Sequence, residues 1–186
     1  NGAFLFGWIG IFVYVAAQTG VNSFFINYAV ENTGIKSADA SLILGVGGMG
    51  LFFAGRMLGS WIMQYIRAER LLAILALVAA HCSMLVVASP GRVGFTALLI
   101  VYFCESIMFP TIFALALRGL GRRTKIASSL LIMGIVGGAV APLLMGLIAD
   151  HSSMAYGFIV PLLCFFIIAA YGGFVARRSA RAKHRK

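Results

Sequence analysis

Six long apolar stretches, each ended by a short polar cluster, leave this chain few ways to fold. They run over residues 3–30, 41–66, 71–88, 93–117, 126–149 and 156–176. A helix needs about 20 mostly apolar residues, within a range of about 17–25, to cross roughly 30 Å of hydrocarbon. Five stretches meet that length, and the third, Leu71–Ala88, is within the range. In lipid every backbone N–H and C=O must be satisfied within the protein, so such a segment is helical. The reading is an all-α polytopic membrane protein with six transmembrane helices. Composition agrees: 61% of the 186 residues are hydrophobic before 22 glycines are added, and 11% are charged. Soluble domains run at about 45–50% apolar with glycine counted and about 25% charged. A soluble enzyme and a disordered chain are both excluded.

The formal net charge is +10. Its placement separates a nucleic-acid role from a membrane-topology signal. Arg67 and Arg70 follow the second stretch. Arg118, Arg122, Arg123 and Lys125 follow the fourth, and Arg177, Arg178, Arg181, Lys183, Arg185 and Lys186 follow the sixth. The opposite loops hold only Lys36 and Arg92. An excess of Lys and Arg marks cytoplasmic loops, so both ends of this segment are expected in the cytoplasm, with 177–186 as a basic cytoplasmic tail. The charge is split over three short segments, which argues against nucleic acid. The tail can touch anionic lipid. Cys82, Cys104 and Cys164 have no metal or disulfide spacing.

Polar groups inside the stretches are the functional candidates, because lipid makes them expensive. Glu105 lies midway along the fourth stretch, and Pro110 follows it. The proline lacks an N–H, so the carbonyl of Ser106 is expected to lose its helical partner and the helix to kink. Tyr14, Gln18 and Asn22 are four apart and share one face of the first helix. Thr19, Ser23, Asn27 and Tyr28 are read as widening that polar surface. Amides and phenols offer both donors and acceptors, as a polyhydroxylated ligand requires. Phe24 and Phe25 are candidates to stack on a sugar ring. Arg56, in the second stretch, needs an acceptor, either Glu105 or a freed carbonyl, and is a coupling or gating candidate with Glu105. His81 is read as a satisfied group between helices. Gly55 and Gly59 are expected to let helices approach closely, as are Gly137, Gly138 and Pro142 in the fifth stretch.

These features alternate. Stretches one and four carry mid-depth polar sets, two and five are glycine-rich, and three and six are plain. Two sets of three helices with matching roles are necessarily inverted in topology. That is the three-plus-three repeat of each six-helix half of the major facilitator fold.

Tyr14 to Glu31 (YVAAQTGVNSFFINYAVE), GRMLG at 55–59, SIMFPTIFAL at 106–115, LRGLG at 117–121 and KIASSLLIMGIVGGAVAP at 125–142 carry a specific resemblance. The chain resembles the C-terminal half of the fucose/glucose–galactose proton symporters of the major facilitator superfamily. The resemblance implies twelve spans, of which these are the seventh to twelfth, with spans one and four here lining a central cavity. It implies proton-driven uptake of a hexose or deoxyhexose by alternating access. The proton gradient is the energy source and no cofactor is needed. The implied partners are sugar, protons, the missing N-terminal six-helix half and membrane lipid, and the implied location is the bacterial inner membrane. In that family the carboxylates most tied to coupling lie in the other half, and Glu105 matches no fixed position of the family, so its role rests on its mid-depth place beside Pro110.

The start at Asn1-Gly2 leads to the expectation of a piece of a longer chain. The alternatives are a major-facilitator transporter of another polar or anionic solute and a self-associating six-span protein. An intramembrane enzyme lacks support: there is no Gly-x-Ser-x-Gly, no metal-spaced histidine pair and no acid pair.

Overall fold

The computed structural model describes residues 2–183, with side chains described over 4–180. No strand occurs among the described residues. Six helices are long and apolar enough to cross a membrane: α1 (Phe4–Thr33), α2 (Ser37–Ile62), α3 (Ala68–Ala88), α4 (Arg92–Leu117), α5 (Gly121–His151) and α6 (Met154–Ala180). The chain is an integral multi-pass membrane protein.

The helices outrun the apolar stretches at most ends. Hydropathy marks the hydrocarbon layer, whereas backbone bonding carries a helix into the polar interface. α1 continues through Glu31 and Asn32 until Gly34 takes φ of 71° and its N–H bonds the Val30 carbonyl at 3.1 Å. α2 departs the other way, giving way to a turn at 63–66 rather than reaching Ile66. The helix at the C-terminal end runs on to Lys183, so the expected tail begins as helix. Residues 184–186 lie outside the described part.

Four helices are internally irregular, α6 among them with a turn at Phe158 between Met154–Gly157 and Ile159–Lys183. α2 contains a π-helical segment, Ile43–Gly48, and α5 a 3₁₀ segment, Met133–Val136. α4 breaks between Glu105 and Met108.

The packing is two-fold in pattern. α1 packs on α4, α5 and α6, and α4 packs on α1, α2 and α3, while α3 and α6 pack on each other. Exchanging the first three helices with the last three returns these same pairs, as an inverted repeat requires, while the α5–α6 contact has no comparable α2–α3 counterpart. Glycines sit at matching seams. A Cβ on Gly55 of α2 would lie 2.5 Å from the Phe103 carbonyl oxygen of α4, and one on Gly59 2.6 Å from Ile107. On the opposite side, Gly137 of α5 abuts the Phe12 carbonyl of α1, and a Cβ on Gly138 would meet Thr19 Oγ1 at 2.8 Å. Pro142 is half-buried inside the same helix.

A buried carboxylate ties the loops at the basic end. Glu69 Oε1 is 2.5 Å from Arg67 and 3.9 Å from Arg118, joining the α2–α3 and α4–α5 connections. At the other end, Glu31 Oε1 accepts a hydrogen bond from the Met154 N–H at 3.1 Å, tying α1 to the start of α6.

Candidate functional site

The break in α4 organises the mid-membrane polar groups. Glu105 is the last residue of the regular segment before it, 13 residues from Arg92 and 12 from Leu117. At 1.5 Å per residue it is close to 20 Å from either end. Its side chain is fully buried, and neither carboxylate oxygen has a hydrogen-bond partner among the described residues. Pro110, half-buried, sits in the first turn after the break. The carbonyl there that takes a side-chain donor from another helix is not that of Ser106 but that of Glu105, which accepts from the Tyr14 hydroxyl at 3.0 Å. Ser106 and Thr111 bond back to Phe103 and Ile107 carbonyls, both at 2.7 Å. Local hydroxyls thus satisfy part of what the irregularity exposes.

Tyr14, Gln18 and Asn22 do share the α1 face turned to α4. The Tyr14 ring packs on Phe109 at 5.9 Å between centroids. Gln18 is half-buried one turn further, beside the Tyr14 hydroxyl. Asn22 is half-buried and doubly engaged: its Nδ2 donates to the Gln18 carbonyl at 2.9 Å, and its Oδ1 accepts from the Tyr102 hydroxyl at 3.1 Å. One N–H and one lone pair of that amide stay free for a ligand. Tyr102 was not singled out from the sequence, although it is three residues before Glu105 and so on the same face of α4.

Other candidates fall elsewhere. Asn27 is exposed and lies nine residues beyond Gln18, half a turn round the helix, so it does not join this set. Ser23 is exposed as well. Phe25 is fully buried between Phe95 and Tyr102, at 5.4 and 5.6 Å, and offers no face to a sugar. Tyr28 bonds the Val86 carbonyl of α3 at 3.1 Å. Arg56 does not pair with Glu105. The ion pairs among the described residues are those of Glu69. Arg56 is exposed on α2. Its neighbour Gly55, rather than Arg56, takes the position facing α4. His81 is exposed too, in the stripe of Ile74, Leu77, Val78 and Met84 that α3 turns away from its neighbours, and not between helices as its polarity suggested.

Two helices with mid-depth polar faces, built into a three-plus-three inverted bundle, define a six-helix half of a major facilitator fold. Comparison with known proteins agrees. A solved structure of a major facilitator superfamily transporter, FucP, in the outward conformation superposes with a TM-score of 0.90 at 34% identity, over 93% of this chain and 42% of that one. The glucose/galactose transporter of Brucella abortus (strain 9-941) is 40% identical over 168 residues, 89% of this chain and 40% of the relative. The L-fucose-proton symporter of Escherichia coli (strain K12) is 35% identical over 164 residues, 88% of this chain and 37% of the relative. No protein-family model matches. The chain belongs to the major facilitator superfamily, among the relatives of the glucose/galactose and L-fucose-proton transporters. It spans about two fifths of the length of the relatives it matches.

Proposed function

We propose that this chain is the C-terminal half of a secondary transporter that takes up a hexose or deoxyhexose with protons by alternating access. The observation that carries the reading is Glu105. An ionised carboxylate with no partner costs several kcal/mol at such a site, and it persists at mid-depth beside the polar face of α1. Glu105 is the proton-carrying group of this half, and Gln18, Asn22, Tyr102 and Tyr14 form its wall of the cavity. The names of the sequence relatives support a sugar as substrate.

The N-terminal half docks on α2 and α5. These are the least buried helices, with 17% and 28% of their apolar windows buried against 61% for α4. Val46 and Phe53 on α2, and Ile126 and Leu143 on α5, are about two-thirds or more exposed. Both ends of this segment are cytoplasmic, as the basic loops indicate, and the membrane is the bacterial inner membrane.

The test is uptake of fucose, glucose and galactose by the full-length transporter in vesicles with an imposed proton gradient. Glu105→Gln abolishes gradient-driven accumulation but retains sugar exchange, and Asn22→Ala raises KM. Unchanged accumulation in Glu105→Gln removes the proton role. Arg56, exposed and without a carboxylate partner, favours one second reading, an anionic sugar. A hexuronate that outcompetes the neutral sugars is the result that selects it.

A further inference from the structure

The outer side of α6 carries two grooves, neither lined by a residue of the Glu105 site. One, of about 460 Å³, lies against α3 and is walled by Leu77, Phe166, Ala169, Gly173 and Phe174. The other, of about 250 Å³, lies against α1 and is walled by Phe6, Ile9 and Ile167. They share Ala170 and Phe174, so the Phe174 ring divides them. The larger groove ends at Arg177.

Its length, its polarity and its open wall all describe one kind of occupant. From Phe166 to Arg177 is eleven residues, a rise of about 17 Å, which is close to the roughly 15 Å of hydrocarbon in one leaflet. The lining is apolar throughout except for the guanidinium at its interfacial end. Neither Arg177 nor Arg178 has a carboxylate partner among the described residues, and both are exposed. The small wall residues are not all there for helix packing. A Cβ on Gly172 would meet Ala73 at 3.0–3.1 Å, whereas one on Gly173 would meet nothing within 4 Å. Gly172 closes the α3–α6 seam, and Gly173 opens the groove.

We propose that this is a site for one anionic phospholipid, with its acyl chains on either side of Phe174 and its phosphate on Arg177 and Arg178. Basic residues at the end of a pocket between transmembrane helices are suited to such head groups. The proposal needs only that the chain spans a membrane and does not depend on what it transports.

The experiment is native mass spectrometry of the protein purified from its own membrane and equilibrated with equal phosphatidylglycerol and phosphatidylcholine. Wild type retains phosphatidylglycerol about 30-fold over phosphatidylcholine, the preference that two basic contacts of about fivefold each confer. Arg177→Gln loses most of that preference while still holding lipid. Gly173→Leu, which fills the groove, loses both lipids alike. Arg177→Gln alters an exposed side chain, so it reports even where Gly173→Leu fails to fold. Equal retention of the two lipids by wild type overturns the proposal, as does an undiminished preference in Arg177→Gln. Undiminished lipid occupancy in folded Gly173→Leu overturns the placement in the groove.

Discussion

Replacing Gly55 with alanine tests how tightly the α2–α4 seam is closed. The added Cβ would lie 2.5 Å from both the Phe103 carbonyl oxygen and Ser106 Oγ, and 3.2 Å from the Phe103 ring. The closest approach of real Cβ atoms is 3.0 Å, so α2 must retreat by at least half an ångström. One obstacle is backbone, which cannot rotate aside. The other is a hydroxyl already bonded to the Phe103 carbonyl at 2.7 Å. Overpacking of this kind costs about 1–3 kcal/mol, and losing the Ser106 bond adds about 0.5–1.5 kcal/mol. Alanine returns about 1 kcal/mol through its helix propensity. The net loss is about 1–3 kcal/mol. For a chain of this size that lowers the melting temperature by about 2–12 °C, taking about 2–4 °C per kcal/mol. The assay is thermal unfolding of purified protein in detergent, followed by tryptophan fluorescence, with Gly173→Ala as the control. That glycine has open space around it, so its variant matches or slightly exceeds wild type. A Gly55→Ala protein as stable as Gly173→Ala would refute the close approach.

Tyr14→Phe removes the donor to the Glu105 carbonyl and leaves a buried acceptor unpaired. It lowers stability by about 1–3 kcal/mol, read as a loss of melting temperature in the same assay. Glu69→Ala strands Arg67 and Arg118 at the basic end. Both arginines are partly exposed, so the loss is at the low end for a buried pair, about 1–2 kcal/mol, and the Glu31→Ala change at the exposed opposite end costs less in the same measurement. Tyr102→Phe frees the Asn22 Oδ1, so sugar KM changes while maximal uptake stays within about twofold of wild type. His81→Leu, on the outward stripe of α3, leaves uptake unchanged in the vesicle assay.

The fold was legible because its strongest determinant is one-dimensional. Apolar length sets the number of helices, and the alternation of polar, glycine-rich and plain stretches exposes the inverted repeat. The break in α4 was legible as well, since Pro110 lacks the N–H that a regular helix needs. What could not be read was which neighbour each polar group would find. Asn22 and Tyr102 meet across 80 residues of sequence, and no local pattern encodes that. Arg56 and Glu105 have compatible depths, yet Gly55 takes the position facing α4. His81 and Asn27 show the same limit, since polarity marks a residue as unusual without saying which way its helix turns it.

The two-fold pattern of contacts is blind to the direction of synthesis, but a ribosome is not. α2 finds its packing surface on α4, and α3 finds its own on α4 and α6. Both of those partners are made later, so the first three helices of this segment enter the bilayer with few contacts among themselves. α5 and α6 then emerge to find α1 and α3 already waiting. A symmetric bundle is therefore assembled asymmetrically, and α4, the helix with the break, is the one whose arrival lets the earlier helices settle.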